Sequence, residues 1–232
     1  VYPLALINYV AGLVNEKELA WDCGTGNGQT AVMLAKEFKK VHATDISATQ
    51  LQHATPAANI MYALEPAEKT SLADKSVNLI TISQALHWFN TAEFYKEVSR
   101  VASADAVIAA WTYNLLTISP EIDALINYFY DETLQGCWQA ERKYVDDGYT
   151  SIYFPFTSLR APSFSIKTDW NILALQGYLN TWSGVQNFVK KNGYNPLPKL
   201  IEEINTHWAT GAKKQVTFPL FVRIARTDSY AP

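Results

Sequence analysis

The sequence predicts an α/β fold in which helices cover both faces of a parallel sheet. Three observations lead to this prediction. Segments with the apolar periodicity of helices and of strands alternate through the first 110 residues. The first predicted strand runs directly into a glycine-rich stretch, residues 22–28, that opens a helix. The second predicted strand ends at Asp45, so both strands present polar groups at their carboxyl ends.

The elements are predicted in order along the chain. Periodicity and helix-start signals indicate helices over residues 4–14, 30–40, 48–53 and 91–102, and strands over 19–22, 41–45, 59–64, 77–82 and 106–111. Repeated strand–helix units of this length specify a parallel sheet. The pattern changes after Trp111, where Ser119 and Pro120 are typical of a helix start and two β-rich segments follow at 163–168 and 215–226.

Gly24, Gly26 and Gly28 alternate in the loop after the first strand. Glycines let the backbone turn sharply and approach a ligand closely, and the first turn of the following helix offers unpaired N–H groups. The loop therefore predicts a nucleotide-type ligand. The dinucleotide-binding pattern requires a glycine where this chain has Gln29, so the spacing disfavours a dehydrogenase.

Asp45 follows Gly24 by 21 positions, at the tip of the second predicted strand. A carboxylate at this place can accept two hydrogen bonds from a ribose diol. The alternative is a solvated loop aspartate at the start of a helix, because Ser47 and Gln50 form a plausible capping box. The two interpretations are compatible, since Ser47 rather than Asp45 would cap the helix.

The pattern D-x-G-x-G-x-G over residues 22–28 resembles the first motif of class I S-adenosylmethionine-dependent methyltransferases. Further segments resemble the type-11 methyltransferase family, within it the branch similar to trans-aconitate methyltransferases: Ala67-Glu68, Lys75–Ile80, Gln84–Phe89 and Glu97–Val101. The resemblance covers most of residues 1–111. It implies a Rossmann-like seven-stranded, mostly parallel sheet with an antiparallel last strand at 215–226, helices on both faces and an aromatic-rich cap.

The resemblance also implies S-adenosylmethionine as the cofactor and S-adenosylhomocysteine as the product. Asp22, Gly24 and Gly26 would hold the methionyl part, and Asp45 the ribose hydroxyls. Ile46 would pack on the adenine, and Ala67, beside Glu68, would offer it a backbone N–H. Gln84 and Ala85 would line the methyl end.

His87 is the one histidine that the sequence places near the methyl end. An acceptor hydroxyl needs a proton acceptor close by, whereas a carboxylate is already anionic, so His87 is a candidate base for a hydroxyl acceptor only. The alternative is a histidine that merely hydrogen-bonds the backbone at a strand–helix junction.

The acceptor is expected to be a small molecule, with methyl transfer to the oxygen of a carboxylate or a hydroxyl. Trp111 and Tyr113, at the end of the fifth strand, are candidate walls of its pocket, although burial explains them equally well. Trp182 joins them because Thr181–Ser183 resembles a segment of the relatives' cap. Arg142, Lys143 and Arg160 are candidate cations for an acidic acceptor, or solvated surface charges.

The chain is expected to divide into a cofactor-binding core at 1–111, a cap at 112–213 with a sixth strand near 163–168, and a last strand at 214–232 that completes the core sheet. Of the 30 aromatic residues, 21 lie from Trp111 onward, which suits a cap that meets a ligand. Building the core of a less regular half would explain most of them as well.

Composition excludes several classes of function. The net charge of −3 and the absence of a Lys/Arg cluster argue against a nucleic-acid partner. With neither a membrane-spanning apolar stretch nor a signal-like start, the chain is expected to be cytoplasmic. Cys23 and Cys137 are expected to be reduced, and the histidines show no metal-ligand spacing.

Three classes of function remain open. A small-molecule methyltransferase is favoured, a cofactor-binding sensor or scaffold without catalysis is the alternative, and a macromolecule methyltransferase is the weakest. The oligomeric state stays open.

Overall fold

A computed structural model describes residues 1–209 and 211–229, with Ser229 described by its backbone alone. Within this part of the chain the strands form one sheet, in the order β3-β2-β1-β4-β5-β8-β6, and β7 pairs with β8. The strands are β1 Leu19–Cys23, β2 Lys40–Asp45, β3 Ile60–Leu64, β4 Val77–Ser83, β5 Ala102–Tyr113, β6 Thr157–Leu159, β7 Phe164–Trp170 and β8 Lys214–Arg226. The helices are α1 Leu4–Gly12, α2 Gln29–Leu34, α3 Ala48–Gln52, α4 Thr91–Val101, α5 Pro120–Tyr128, α6 Arg142–Asp146, α7 Ile172–Asn180, α8 Ser183–Asn192 and α9 Leu197–Asn205.

Strands β1 to β5 are parallel, and β8 runs antiparallel to β5. The predicted α/β fold class is therefore confirmed. The described sheet has eight strands rather than the seven implied, because the three residues of β6 pair with the free side of β8. A strand of three residues is too short to show the periodicity by which strands are predicted from sequence.

The central parallel strands β1, β2 and β4 are buried along most of their length, as covered parallel sheets require, whereas β3 at the edge of the sheet is only partly buried. In β4 every residue from Val77 to Ile82 is buried, and Phe94 and Val98 of α4 are fully buried against this core. The Trp21 indole N–H donates a 2.9 Å hydrogen bond to Thr44 Oγ1, so the large ring is buried with its polar group satisfied.

Contacts divide the chain into two compact units. The first contains residues 1–113, 144–164 and the described part of 220–232, and the second contains residues 114–143 and the described part of 165–219. Residues 144–164 thus pack in the first unit, although the sequence analysis placed them in the cap. Hydrogen bonds hold them there, such as the 2.7 Å bond from Tyr95 Oη to the Tyr153 carbonyl. Of the predicted segments, Thr210 and residues 230–232 lie outside the described residues.

Several boundaries differ from prediction. The second helix ends at Leu34 rather than near residue 40, and β5 begins at Ala102 rather than at residue 106 because Ala102 pairs with Val77. Ser47 caps α3 as predicted, since the Gln50 N–H donates to Ser47 Oγ at 3.3 Å, but the Ser47 N–H donates to Asp45 Oδ1 instead of completing a capping box with the Gln50 side chain. The parallel strands of the first unit end at one edge of the sheet, and the predicted cofactor residues lie along this edge.

Candidate functional site

The loop after β1 depends on glycine at two positions for different reasons. Gly24 and Gly26 both have left-handed backbone, with φ of 68° and 58°. A Cβ on Gly24 would lie 2.5 Å from Ala85 Cβ and 3.3 Å from the Phe89 ring, so this glycine lets the loop pack on the segment after β4. A Cβ on Gly26 would have only Gln50 Oε1 nearby, at 3.9 Å, which leaves room for a ligand to approach the backbone.

Asp22 is completely buried at the end of β1. Its carboxylate accepts hydrogen bonds from Thr25 Oγ1 at 2.5 Å and from Thr81 Oγ1 at 2.8 Å. Burial raises the pKa of Asp22 to about 6, although both hydroxyl groups act in the opposite direction. The edge of the sheet therefore contains a carboxyl group that titrates close to neutral pH.

Asp45 is oriented by two backbone N–H groups. Gly26 N–H donates to Asp45 Oδ2 and Ser47 N–H donates to Asp45 Oδ1, both at 2.8 Å. The first bond joins the tip of β2 to the glycine loop of β1, so a carboxylate and a loop 19 residues apart in the chain form one unit. Such a fixed carboxylate can accept hydrogen bonds from a diol without first being ordered.

The residues assigned to the adenine differ in what they offer. Ile46, directly after β2, is 77% exposed and presents an apolar surface to solvent. Ala67 is buried in the loop after β3. Glu68 Oε1 accepts a 2.8 Å hydrogen bond from the Asn90 N–H at the start of α4, so its carboxylate anchors that helix. The roles of all three toward adenine stay predictions.

Gln84 and Ala85 follow β4 at the same edge. Gln84 has a left-handed backbone, with φ of 57°. Its amide is engaged by β5: Oε1 accepts from Thr112 Oγ1 at 2.5 Å, and Nε2 donates to the Tyr113 carbonyl at 3.2 Å. The Gln84 side chain therefore fixes the end of β5, and the Gln84 N–H donates to the Trp111 carbonyl of the same strand, whereas the methyl group of Ala85 lies against Gly24.

His87 lies in a 3₁₀ turn, Leu86–Trp88, after this segment. Its Nδ1 is 2.9 Å from the hydroxyl oxygen of Tyr149, and its ring is half-buried. The sequence analysis did not single out Tyr149, because 62 residues separate it from His87 and no local motif marks it. His87 therefore contacts the side chain of Tyr149, whereas the alternative interpretation of the sequence expected a hydrogen bond to the backbone only.

Trp111 and Tyr113 end β5 in the first unit. Trp111 is completely buried, and the Tyr2 ring packs edge-on to it with 5.6 Å between ring centroids. Burial raises the pKa of Tyr2, and electrostatic interactions with Tyr113, Asp22 and Tyr149 act in the same direction. Tyr2 therefore lies within electrostatic reach of Tyr113, Tyr149 and Asp22, whereas Trp111 contributes packing.

Trp182 belongs to the second unit, in what we call the aromatic cluster: Tyr130, Trp138 and Trp182 with Arg142. Trp182 lies edge-on to Tyr130, with 5.7 Å between the ring centroids, and Tyr130 stacks on Trp138 at 4.4 Å. The Arg142 guanidinium lies over Tyr130 and Trp138, with its Cζ 5.3 Å and 5.1 Å from the centroids. Its Nε donates to Tyr130 Oη, and its Nη2 donates to Asn114 Oδ1, both at 2.7 Å.

Two classes of site find no support in the described residues. Among residues 1–209 and 211–229, no three His, Cys, Asp or Glu side chains are grouped so as to hold a metal ion. In the same part of the chain, no helix has the length and apolar character that crossing a membrane requires. Cys23 and Cys137 are both buried and belong to no disulfide of the described residues.

Comparisons with known proteins show the family to which the chain belongs. A family profile described as "Methyltransferase domain" matches residues 21–110. A Dictyostelium discoideum protein named as a methyltransferase is 34% identical over 220 residues, which are 92% of this chain and 84% of that protein. A Saccharomyces cerevisiae protein named as an S-adenosylmethionine-dependent methyltransferase is 28% identical over 129 residues, or 52% of this chain and 43% of that protein.

A solved structure gives the same result for the whole fold. It is described as a type II methyltransferase from Anaeromyxobacter dehalogenans, and it is 36% identical to this chain with a TM-score of 0.93. The similarity covers 99% of this chain and 98% of that one.

Proposed function

Since this chain belongs to the S-adenosylmethionine-dependent methyltransferases, we propose that it transfers a methyl group to an oxygen atom of a small-molecule acceptor. The observation that carries the placement of the cofactor is the Asp45 carboxylate, fixed by the N–H groups of Gly26 and Ser47 beside the glycine loop. Asp45 is proposed to bind the ribose diol, with the open face of Gly26 against the methionyl part.

S-adenosylmethionine supplies a methyl group that is already activated on a sulfonium. The protein therefore contributes mainly by holding an acceptor oxygen in line with the methyl group and by excluding water. Asp22, buried among hydroxyl groups, is proposed to interact in its ionised form with the ammonium group of the methionyl part. The backbone around Gln84 and Ala85 is proposed to face the methyl end.

A hydroxyl acceptor is favoured by the contact between His87 and Tyr149. A neutral hydroxyl must lose its proton as the new oxygen–carbon bond forms, and a histidine near the methyl end can accept that proton. The Tyr149 hydroxyl, 2.9 Å from His87 Nδ1, orients the ring for this role.

A carboxylate acceptor is the second candidate, as the branch similar to trans-aconitate methyltransferases suggests. The observation that favours it is the Arg142 guanidinium in the aromatic cluster, whose Nε donates to Tyr130 Oη and whose Nη2 donates to Asn114 Oδ1. A guanidinium in an aromatic setting suits a planar carboxylate. The roles of Trp182 in the second unit and of Tyr113 in the first unit toward the acceptor stay predictions.

Transfer of labelled methyl from S-adenosylmethionine to a panel of phenols, alcohols and small carboxylic acids tests this proposal. We expect Asp45→Asn to weaken S-adenosylhomocysteine binding by about tenfold to a hundredfold, because an amide nitrogen then faces a backbone donor and the charge is lost. Asp105→Asn, an exposed aspartate at the start of β5, is the control and keeps full affinity. Binding without transfer to any oxygen acceptor would contradict the proposed function.

A further inference from the structure

Two consecutive residues, Gly148 and Tyr149, have left-handed backbone, with φ of 65° and 66°. Glycine adopts this conformation easily, and a Cβ on Gly148 would also lie 2.7 Å from the Phe221 ring. Tyr149 carries a bulky side chain in a region that such residues seldom occupy. Its backbone is therefore held in place by its surroundings, and strain of this kind concentrates at functional sites.

The Tyr149 backbone is held by one residue that precedes it in the chain and by one that follows it. Its N–H donates to the Tyr144 carbonyl at 2.7 Å. Arg223 Nη1, on β8, donates to the carbonyls of Tyr149 and Ile152, both at 2.6 Å. The Arg223 guanidinium also lies over the Phe154 ring, with its Cζ 4.6 Å from the centroid. Arg223 thus fixes the backbone from which the Tyr149 side chain extends.

The result of this arrangement is the 2.9 Å contact between the Tyr149 hydroxyl and His87 Nδ1. Tyr149 is 0% exposed, whereas His87 is half-buried. The Tyr149 hydroxyl is directed at the His87 ring, so its effect on the chemistry passes through the histidine.

We propose that Tyr149 is a positioning residue for His87 and that the acceptor class is a hydroxyl. This inference rests on the proposed function. In the resting protein the His87 Nδ1–H donates to the Tyr149 oxygen, and Nε2 carries the lone pair, because the hydrogen bond at one ring nitrogen sets the state of the other. Nε2 then accepts the acceptor's hydroxyl proton while the oxygen–methyl bond forms and the sulfur–methyl bond breaks.

The step balances without a further reactant. The sulfonium becomes a neutral thioether, the hydroxyl becomes a methyl ether, and the imidazolium that forms releases its proton to solvent afterwards. The Tyr149 oxygen accepts the Nδ1–H bond throughout, so it stabilises the charged ring when the charge appears.

Nitrogen-15 spectra of histidine-labelled protein test the tautomer without any acceptor. The chain has four histidines, and the His87→Ala spectrum identifies the His87 signals by difference. We expect a protonated Nδ1 and an unprotonated Nε2 in the unmodified protein, and a shift toward protonated Nε2 in Tyr149→Phe. A protonated Nε2 in the unmodified protein would overturn the proposal.

Kinetics supply the second arm. We expect His87→Ala to lower kcat by about 10²–10⁴-fold and Tyr149→Phe by about tenfold, each with an unchanged KM for S-adenosylmethionine. In the His87→Ala background, Tyr149→Phe should cost nothing more. Tyr95→Phe, which removes a hydroxyl bonded to the Tyr153 carbonyl, is the matched control and leaves kcat unchanged.

The two proposals fail in different ways. Additive losses in the double variant, or full activity of Tyr149→Phe, would overturn the role of Tyr149 while methyl transfer stands. Absence of transfer to every hydroxyl acceptor, with transfer to carboxylates, would overturn the acceptor class. Absence of transfer to any oxygen would overturn the proposed function, and the tautomer would still be read from the spectra.

Discussion

The glycine-loop edge of the first unit, formed by Asp22, Gly24, Gly26 and Asp45, and the aromatic cluster of the second unit are built in opposite ways. The edge consists of backbone N–H groups and small side chains from two short segments, each readable as a local motif. The cluster consists of large side chains that come from separate helices and loops, with 44 positions between Trp138 and Trp182. The difference teaches that the residues of the edge can be recognised from local motifs, whereas the aromatic cluster is assembled from residues far apart in the chain.

Replacement of glycine tests how strictly the edge is constrained, and it should give the largest effect. Gly24→Val adds a side chain 2.5 Å from Ala85 Cβ in left-handed backbone, so we expect it to lower the free energy of unfolding by about 4 kcal/mol. Gly136→Val is the matched control, because Gly136 has φ of 69° and nothing within 4 Å of its Cβ position. It should cost about 1–2 kcal/mol.

Urea unfolding followed by circular dichroism measures both variants. Equal losses would mean that the left-handed backbone alone matters and that the packing of the loop on Ala85 does not.

The pH dependence of stability tests the buried charge of Asp22 at the glycine-loop edge, for which the aromatic cluster has no described counterpart. Burial raises the pKa of Asp22 from 3.8 to about 6. Between these two pH values the folded protein therefore keeps a proton on Asp22 that the unfolded chain has lost. The stability that this group contributes is fully present below pH 4 and is lost as the pH rises through about 6. Two pKa units correspond to about 3 kcal/mol.

Asp22→Asn removes this titration while keeping the shape of the side chain. Between pH 4 and pH 7, the free energy of unfolding of the unmodified protein should fall by about 3 kcal/mol relative to that of Asp22→Asn. Parallel curves for the two proteins would show that Asp22 does not titrate in this range.

The aromatic cluster should give the smallest effect, because several rings share its packing. We expect Arg142→Gln to lower the free energy of unfolding by about 1–2 kcal/mol, through the lost bonds to Tyr130 and Asn114 and the lost contact with Trp138. Arg160→Gln, at an exposed position of the first unit, is the control and stays within about 0.5 kcal/mol. A change in tryptophan emission confined to Arg142→Gln would locate the effect in the cluster.

The same contrast explains how much the sequence revealed. The order of elements through β5 was predictable because the central parallel strands, such as β1 and β4, are buried and appear in the sequence as short apolar runs. Gly24, Gly26 and Asp45 were predictable because positive φ and backbone donors impose residue types locally. The binding roles of these residues, and of Ile46, Ala67 and Ala85, remain predictions.

Other features could not be predicted because they depend on distant pairs. The hydrogen bond between His87 and Tyr149 requires the fold to bring residues 62 positions apart together. Likewise, β6 exists only because β8 offers an unpaired side to Thr157–Leu159. The trans-aconitate branch and the acceptor are not fixed by the motifs either, since those motifs describe the cofactor.

β8 is synthesised long after its partner strand β5, and this order affects folding of the chain on the ribosome. Val107 of β5 pairs with Arg226, and the Arg226 guanidinium also donates to the Leu13 carbonyl, closing the longest loop of contacts in this part of the first unit. During synthesis, one edge of β5 therefore stays unpaired until more than a hundred further residues have been added. Open apolar edges invite pairing with other chains. Chaperone protection of the nascent chain is thus most valuable in the interval between the emergence of residue 113 and that of residue 226.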